Sequence, residues 1–247
     1  MDLSIVIPTL NRLDTLLPCI NSIQRNTSIE YEIIVYANEC TELTFNSLCF
    51  LDGVKVIADK QNSYYTQAIN RAATRAQGDY LFLLNDDCLI QKPDWLITYK
   101  NLIELDSSIA VVGPFWHNID ALPYGWIEPY AAMFPRQIFE HIGGLPYFDD
   151  SFVLWWSDIY FAYKAMQMGY YTLPVQPELI AQSVHHLRPT GDHGDTVKRF
   201  QSILRPECFE FHGKTLMYKR LDILNESGLT GYYASKVWGC SDYDDID

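Results

Sequence analysis

Three groups of residues in this chain have the types and placement to do chemistry. The first is Asn85-Asp86-Asp87, which follows the apolar run Tyr80–Leu84 without a break. Two adjacent carboxylates repel each other, and a bound divalent cation relieves that repulsion; a polar turn capping the next element accounts equally for the triplet. The second is Asp158, just after Phe152-Val-Leu-Trp-Trp156 and at the start of a helix expected over Ser157–Met168. In a partly apolar pocket, desolvation raises such a carboxylate toward the range of a general base; the dipole of a helix start accounts for an acid there as well. The third is His185-His186, closing a strand expected over Leu179–His186. Neutral imidazole ligates divalent metals, and histidine also serves structurally.

These residues need a frame, and the first 85 residues supply one. Ser4-Ile-Val-Ile-Pro8 is a continuous apolar run, the pattern of a parallel strand covered on both faces. Leu16, Leu17, Ile20 and Ile23 then mark one face of a helix that starts after Asn11 and Asp14 and ends at Asn26-Thr27-Ser28. Glu32–Tyr36 and Val54–Ala58 repeat the strand signal, Thr66–Ala76 reads as a helix with Gly78 as its C-cap, and Tyr80–Leu84 is a fourth strand. Strand, helix, strand, strand, helix, strand is the first half of a doubly wound α/β domain. Ligand sites in such sheets lie beyond the carboxyl ends of the strands, which is where Asn85-Asp86-Asp87 falls.

The second half is more irregular. A helix is expected over Trp95–Leu105 and a strand over Ala110–Val112, then loops and short extended pieces through the proline- and aromatic-rich stretch 114–135. Gly143-Gly144-Leu145-Pro146 reads as a turn, and Gly169 as the stop of the Asp158 helix.

Composition narrows the partners. The 247 residues carry 18 basic and 31 acidic side chains, a net charge of −13, which speaks against a face that grips nucleic-acid phosphates. Six dispersed cysteines without a CxxC pair suit a reducing compartment. With no basic leader and no apolar run near the ~20 residues of a membrane span, a cytoplasmic protein without an integral membrane segment is expected.

Taken in order, the segments resemble glycosyltransferase family 2. The pieces are Ser4-Ile-Val-Ile-Pro-Thr-Leu-Asn-Arg12, then Asn62 with Ala68, Asn70, Arg71 and Ala72, then Ala76-x-Gly78-Asp79-Tyr80, then Leu83-Leu84-Asn85-Asp86-Asp87, followed by Ile142-Gly-Gly-Leu145, Asp158 through Gly169, and His185 with Thr190. The resemblance spans residues 3–190 and implies a GT-A fold, a doubly wound, Rossmann-like mixed sheet flanked by helices. A single domain over 1–240 is expected, with a nucleotide-binding half (1–112) and an acceptor-binding half (113–240), followed by a disordered acidic tail (241–247).

The resemblance also implies roles. Asp87 would hold Mn²⁺ or Mg²⁺ against the donor diphosphate, with His185, or His186 if the register shifts by one, as a second ligand. Asn85 and Asp86 would face the ribose or sugar. Pro8, Thr9, Asn11, Arg12, Asn38, Asn62, Asn70 and Arg71 would serve the donor, with Asn38 near the base. Asp158 would be the catalytic base, and Gly143, Gly144, Trp155 and Trp156 would lie on the acceptor side. The implied reaction is metal-dependent, inverting transfer of a sugar from a UDP, GDP or dTDP donor to a hydroxyl of a glycan or carrier-linked acceptor.

The chain departs from the family in three places. Tyr36-Ala37-Asn38-Glu39 replaces an acidic pair after the second strand, Tyr64-Tyr65 follows Asn62 where glycine is usual, and Ser157-Asp158 replaces a Glu-Asp pair. Two alternatives remain: a catalytically silent sugar-nucleotide-binding protein, and a sugar nucleotidyltransferase. The second calls for a glycine-rich loop after the first strand, and Pro8-Thr9-Leu10-Asn11-Arg12 holds no glycine.

Overall fold

The computed structural model describes residues 2–114, 130–143, 148, 161–162, 164–165, 167–175 and 180–182. The elements, in order, are β1 (Leu3–Thr9), α1 (Leu13–Asn26), β2 (Tyr31–Ala37), α2 (Glu42–Cys49), β3 (Val54–Ala58), α3 (Tyr64–Ala73), β4 (Tyr80–Leu84), β5 (Cys88–Ile90), α4 (Trp95–Ile103), β6 (Ile109–Gly113), β7 (Ala131–Pro135), α5 (Arg136–Gly143), β8 (Tyr171–Pro174) and β9 (Ile180–Gln182). Asp158, His185, His186, Gly144, Trp155 and Trp156, the start of the Asp158 helix and the 241–247 tail lie outside the described residues.

Seven strands form one mixed sheet in the order β3-β2-β1-β4-β7-β6-β8, and β5 pairs with β9 in a small second sheet. β1 runs parallel to both β2 and β4, and β7 is antiparallel between β4 and β6. Helices cover both faces. Leu3, Ile5 and Ile7 pack with Leu16, Cys19, Ile20 and Ile23 of α1 and with Trp95 and Tyr99 of α4. Val6 faces the other way, toward Ala68, Ile69, Ala72 and Ala73 of α3 and the phenylalanines 134, 139, 148 and 161. All seven residues of β1 are therefore buried. This is why its sequence is a solid apolar run rather than an alternating one.

The strands expected in the first 113 residues and the helices α1 and α4 are present, with ends shifted by a few residues; of the strand expected over Leu179–His186, Ile180–Gln182 form β9 and the rest lies outside the described residues. Four expectations need correcting. A helix, α2, lies between β2 and β3; it buries only Thr44 and Leu48 and leaves Leu43 exposed, so its apolar periodicity is weak. β7 is a full member of the central sheet, although Pro135 ends it and the surrounding prolines read as loop. A helix, α5, runs up to Gly143 where none was expected; Gly144, Leu145 and Pro146 of the expected turn lie outside the described residues. The helix expected over Thr66–Ala76 is α3, which starts at Tyr64 and ends at Ala73 with Thr74 as its cap.

Gly78 is accordingly no C-cap. A Cβ there would lie 2.6 Å from the carbonyl carbon of Leu3 and from the amide nitrogen of Ser4, so glycine is required for close approach to β1. The same corner holds a buried acid. Glu32 accepts from Ser4 Oγ at 2.5 Å, from Lys55 Nζ at 2.6 Å and from the Gln77 N–H at 2.7 Å. Burial pushes the Glu32 carboxyl up, but these partners outweigh it and hold it below its ordinary range.

At the other end of the chain's second half, residues 161, 162, 164, 165 and 167 are helical, and the turn closes at Gly169 with φ +84°. The Tyr170 N–H reaches back to the Ala165 carbonyl at 2.9 Å, a glycine-based helix stop of the kind expected there.

Two outcomes follow from the Gly78 corner. Gly78→Ala should lower stability by roughly 1–3 kcal/mol or more, since the clash is with backbone that cannot rotate away; urea unfolding measures it. Glu32→Gln should be less stable than wild type at pH 7. Because the folded pKa is depressed, the advantage of Glu32 is complete above the ordinary carboxylate range and is lost as pH falls through the folded value. The gap between the two proteins should therefore close in acid.

Candidate functional site

The sheet order determines where the strand ends meet. The chain runs from β1 outward through β2 to β3, then returns to place β4 on the other side of β1. A crevice opens at such a reversal, between the carboxyl ends of the diverging strands. Here it is a cavity of about 310 Å³ lined by Pro8, Thr9, Leu10 and Arg12 after β1, Asn38 after β2, Asn62, Tyr64 and Tyr65 after β3, and Asn85, Asp86 and Asp87 after β4.

The acids sit at the β4 side. Asp86 and Asp87 are both buried. Asp86 Oδ2 accepts from Thr9 Oγ1 at 2.7 Å, and Oδ1 faces the Arg12 guanidinium at 3.6 Å. Burial pushes the Asp86 carboxyl up to about 6; Thr9 and Arg12 work against the rise, while Asp87 and Asp14 add to it. The turn itself is fixed by backbone, with the Asn85 N–H donating to the Tyr130 carbonyl at 2.8 Å and the Cys88 N–H to the Asn85 carbonyl at 3.2 Å.

Asn38 holds the middle of the opposite wall. Its N–H donates to the Thr9 carbonyl at 2.9 Å, and its Oδ1 accepts from the Ser63 N–H at 2.8 Å. A backbone N–H can only be met by the amide oxygen, so the orientation of this side chain is settled and Nδ2 is its remaining donor.

Several residues expected at the donor site do other work. Asn11, with φ +55°, links two loops: its Nδ2 donates to the Glu39 carbonyl at 2.8 Å, and its Oδ1 accepts from the Thr41 N–H at 3.1 Å and Thr44 Oγ1 at 2.9 Å. Asn70 is buried and clamps the backbone of Phe148, donating to its carbonyl and accepting from its N–H, both at 2.8 Å. Arg71 Nη1 meets Asp59 Oδ2 at 2.6 Å, Ser63 Oγ at 2.6 Å and Tyr36 Oη at 2.9 Å. Asp59 also accepts from the Gln61 N–H, Tyr36 Oη and Ser63 Oγ, and these bonds, with Arg71 beside it, hold its carboxyl down at about 2 against a small opposing effect of burial. Together they strap the 59–63 loop that presents Asn62 and Tyr64 to the cavity.

The structure thus brings together Pro8, Thr9, Arg12, Asn38, Asn62, Asn85, Asp86 and Asp87. Sequence reasoning had not placed Leu10, Tyr64 and Tyr65 on the wall. Tyr64-Tyr65 in place of a small residue was the available signal. The strap Asp59–Arg71–Tyr36–Ser63 left no signal, because Tyr36 joins the other three only through β2–β3 pairing and Arg71 reaches them from α3.

A divalent cation fits this lining. Among the described residues the cavity wall has one cationic side chain, Arg12, against two buried carboxylates, so an anionic ligand entering it meets net negative charge. A hard divalent ion on carboxylate oxygens reverses that balance. Among the described residues no three His, Cys, Asp or Glu side chains form a metal-binding group. No described helix is long and apolar enough to cross a membrane.

The profile of the family "Glycosyl transferase family 2" matches residues 4–170. A chondroitin synthase of Escherichia coli is 31% identical over 119 residues, which cover 45% of this chain and only 17% of that protein. Among solved structures, a mannosyltransferase from Pyrobaculum calidifontis, PcManGT, in complex with GDP-Man and Mn²⁺, superposes with a TM-score of 0.64 at 16% identity, over 95% of this chain and 75% of that one. S. aureus TarS 1–349 in complex with UDP superposes with a TM-score of 0.53 at 16% identity, over 72% and 61%. At these identities the superpositions establish the GT-A fold, a mixed sheet flanked by helices.

The strap should respond to its carboxylate. Asp59→Asn should cost about 1–2 kcal/mol of stability and speed hydrogen exchange at the Ser63 amide. Because the Asp59 carboxyl is held near 2, the wild-type strap should persist through mild acid and loosen only as pH falls toward that value. Exchange rates measured across pH in both proteins check the sign.

Proposed function

The chain belongs to glycosyltransferase family 2, and from that premise we propose that it transfers a sugar from a nucleoside diphosphate donor to a hydroxyl acceptor, with a divalent metal and with inversion at C1. The observation that carries this reading is the pair of buried carboxylates at the end of β4, opening into a crevice in which Arg12 is the one cationic side chain among the described residues and the rest of the lining is uncharged. The bound GDP-Man with Mn²⁺ and the bound UDP of the two structural neighbours support a nucleotide donor. A glycan or carrier-linked acceptor is part of the proposal.

Asp87, with His185 or His186 as the resemblance suggests, would hold Mn²⁺ or Mg²⁺, and the ion would offset the charge that develops on the departing diphosphate. Thr9 and Arg12 fix Asp86, so its carboxylate is oriented before any ligand arrives. Asn38 offers Nδ2, and Asn62 lies beside it on the wall that would take the nucleoside.

Asp158 would act as the base. The acceptor oxygen forms a bond to C1 as the bond from C1 to the diphosphate oxygen breaks; the acceptor proton passes to the Asp158 carboxylate, and the nucleoside diphosphate leaves with the bonding electron pair. A single displacement of this kind inverts the configuration at C1.

The test is turnover of a panel of UDP-, GDP- and dTDP-sugars with Mn²⁺, with Mg²⁺ and with EDTA. Activity should vanish in EDTA and return on adding the metal. Asp158→Asn should lower kcat by roughly 10²–10⁴-fold with nucleotide affinity retained, the range expected for loss of a positioned base. Asp87→Asn should abolish metal-dependent nucleotide binding. Nucleotide binding without turnover, the same in wild type and Asp158→Asn, would instead identify a silent binding protein.

A further inference from the structure

We propose that Tyr64 is a donor-contact residue, its ring forming the wall on which the nucleobase stacks; this rests on reading the cavity as a nucleotide-sugar site. Tyr64 has φ +54°, in the left-handed region that a residue bearing a Cβ rarely adopts. Its side chain lines the cavity and is 48% exposed. Among the described residues its hydroxyl has no hydrogen-bond partner and its ring no aromatic neighbour; the contact that fixes it is a backbone one, its N–H donating to Asn62 Oδ1 at 2.8 Å. The adjacent Tyr65 differs, being partly buried and packed against the phenylalanine-rich core.

A large ring held in an unfavourable backbone conformation, about half exposed and outside both hydrophobic clusters, gives the fold little that a glycine would not. Such strain persists where a ligand uses the group. The position along the crevice says which part of the ligand. Strand order places Asp86 and Asp87 at the β4 end and Asn38, Asn62 and Tyr64 at the β2–β3 end. The diphosphate belongs with the acids and their cation, so the planar, uncharged base falls to the opposite end, where an aromatic face stacks on it whatever its identity. Tyr64 would then add affinity for every donor, while Asn38, with its settled donor edge, would choose among bases.

The experiment is calorimetric binding of UDP, GDP and dTDP, and separately of inorganic pyrophosphate, all with Mn²⁺, to wild type, Tyr64→Gly, Tyr64→Asn and Tyr64→Phe. Glycine and asparagine both tolerate the left-handed region, so neither variant should melt below wild type. The preferred nucleoside diphosphate should bind Tyr64→Gly and Tyr64→Asn roughly tenfold more weakly, Tyr64→Phe should match wild type, and pyrophosphate should bind all four alike. Nucleotide affinity unchanged in the glycine variant overturns the proposal, and so does an equal loss for nucleotide and pyrophosphate. If wild type binds pyrophosphate and Mn²⁺ but no nucleotide, or binds nothing, the donor reading falls with it.

Discussion

β1 lies between β2 and β4, parallel to both, with helices on each face of the sheet. The interior of these strands must then be apolar, because a polar side chain on either face would be buried without water. Polar side chains are forced to the strand ends, and at the carboxyl ends the chain reversal leaves a crevice. Thr9, Asn38 and Asp86 come together for this reason: each is among the first polar positions at the end of its strand. The Thr9–Asp86 hydrogen bond joins the two neighbouring ends directly across the opening.

The two edges of the sheet show how differently a buried acid can be treated. Glu32, beneath the amino end of β1, is surrounded by a lysine, a serine hydroxyl and a backbone amide, and its carboxyl is held low. Asp86, at the other edge, has a threonine hydroxyl and a more distant arginine, with Asp87 beside it, and is pushed up to about 6. The first acid is compensated from within the chain and acts as a structural tie. The second leaves an excess of negative charge facing a cavity, the condition in which a cation and its anionic ligand complete the balance.

The crevice rim has its own support. Among the described residues, three of the four non-glycine residues with positive φ follow the carboxyl ends of β1, β2 and β3: Asn11 and Glu39 in loops, and Tyr64 at the first position of α3. Asn11 uses its conformation to bind the second of these loops to the first, and Arg71 with Asp59 straps the third. Asn38 connects them, meeting the Thr9 carbonyl with its N–H and the Ser63 N–H with its side chain. The walls are therefore set by loop-to-loop hydrogen bonds before a ligand is bound, which reduces the ordering that binding must impose.

The solid apolar runs of β1, β2 and β4 identified a doubly wound sheet by themselves, because strands covered on both faces need no alternation. The polar triplet right after Tyr80–Leu84 located the acids at its carboxyl edge for the same reason. Local pattern could not identify α2, whose buried face is only two residues wide, or β7, whose flanking prolines read as loop although the strand lies between β4 and β6 with its first four residues buried. Nor could it separate Gly78 as a close approach to β1 from Gly78 as a helix cap, since the neighbour that forbids a side chain lies over 70 positions away. The same holds for the division of labour among Asn11, Asn38, Asn70 and Arg71. All four suited a donor site by type, but only the pairing of distant strands decided that Asn38 faces the cavity while the others hold the chain that surrounds it.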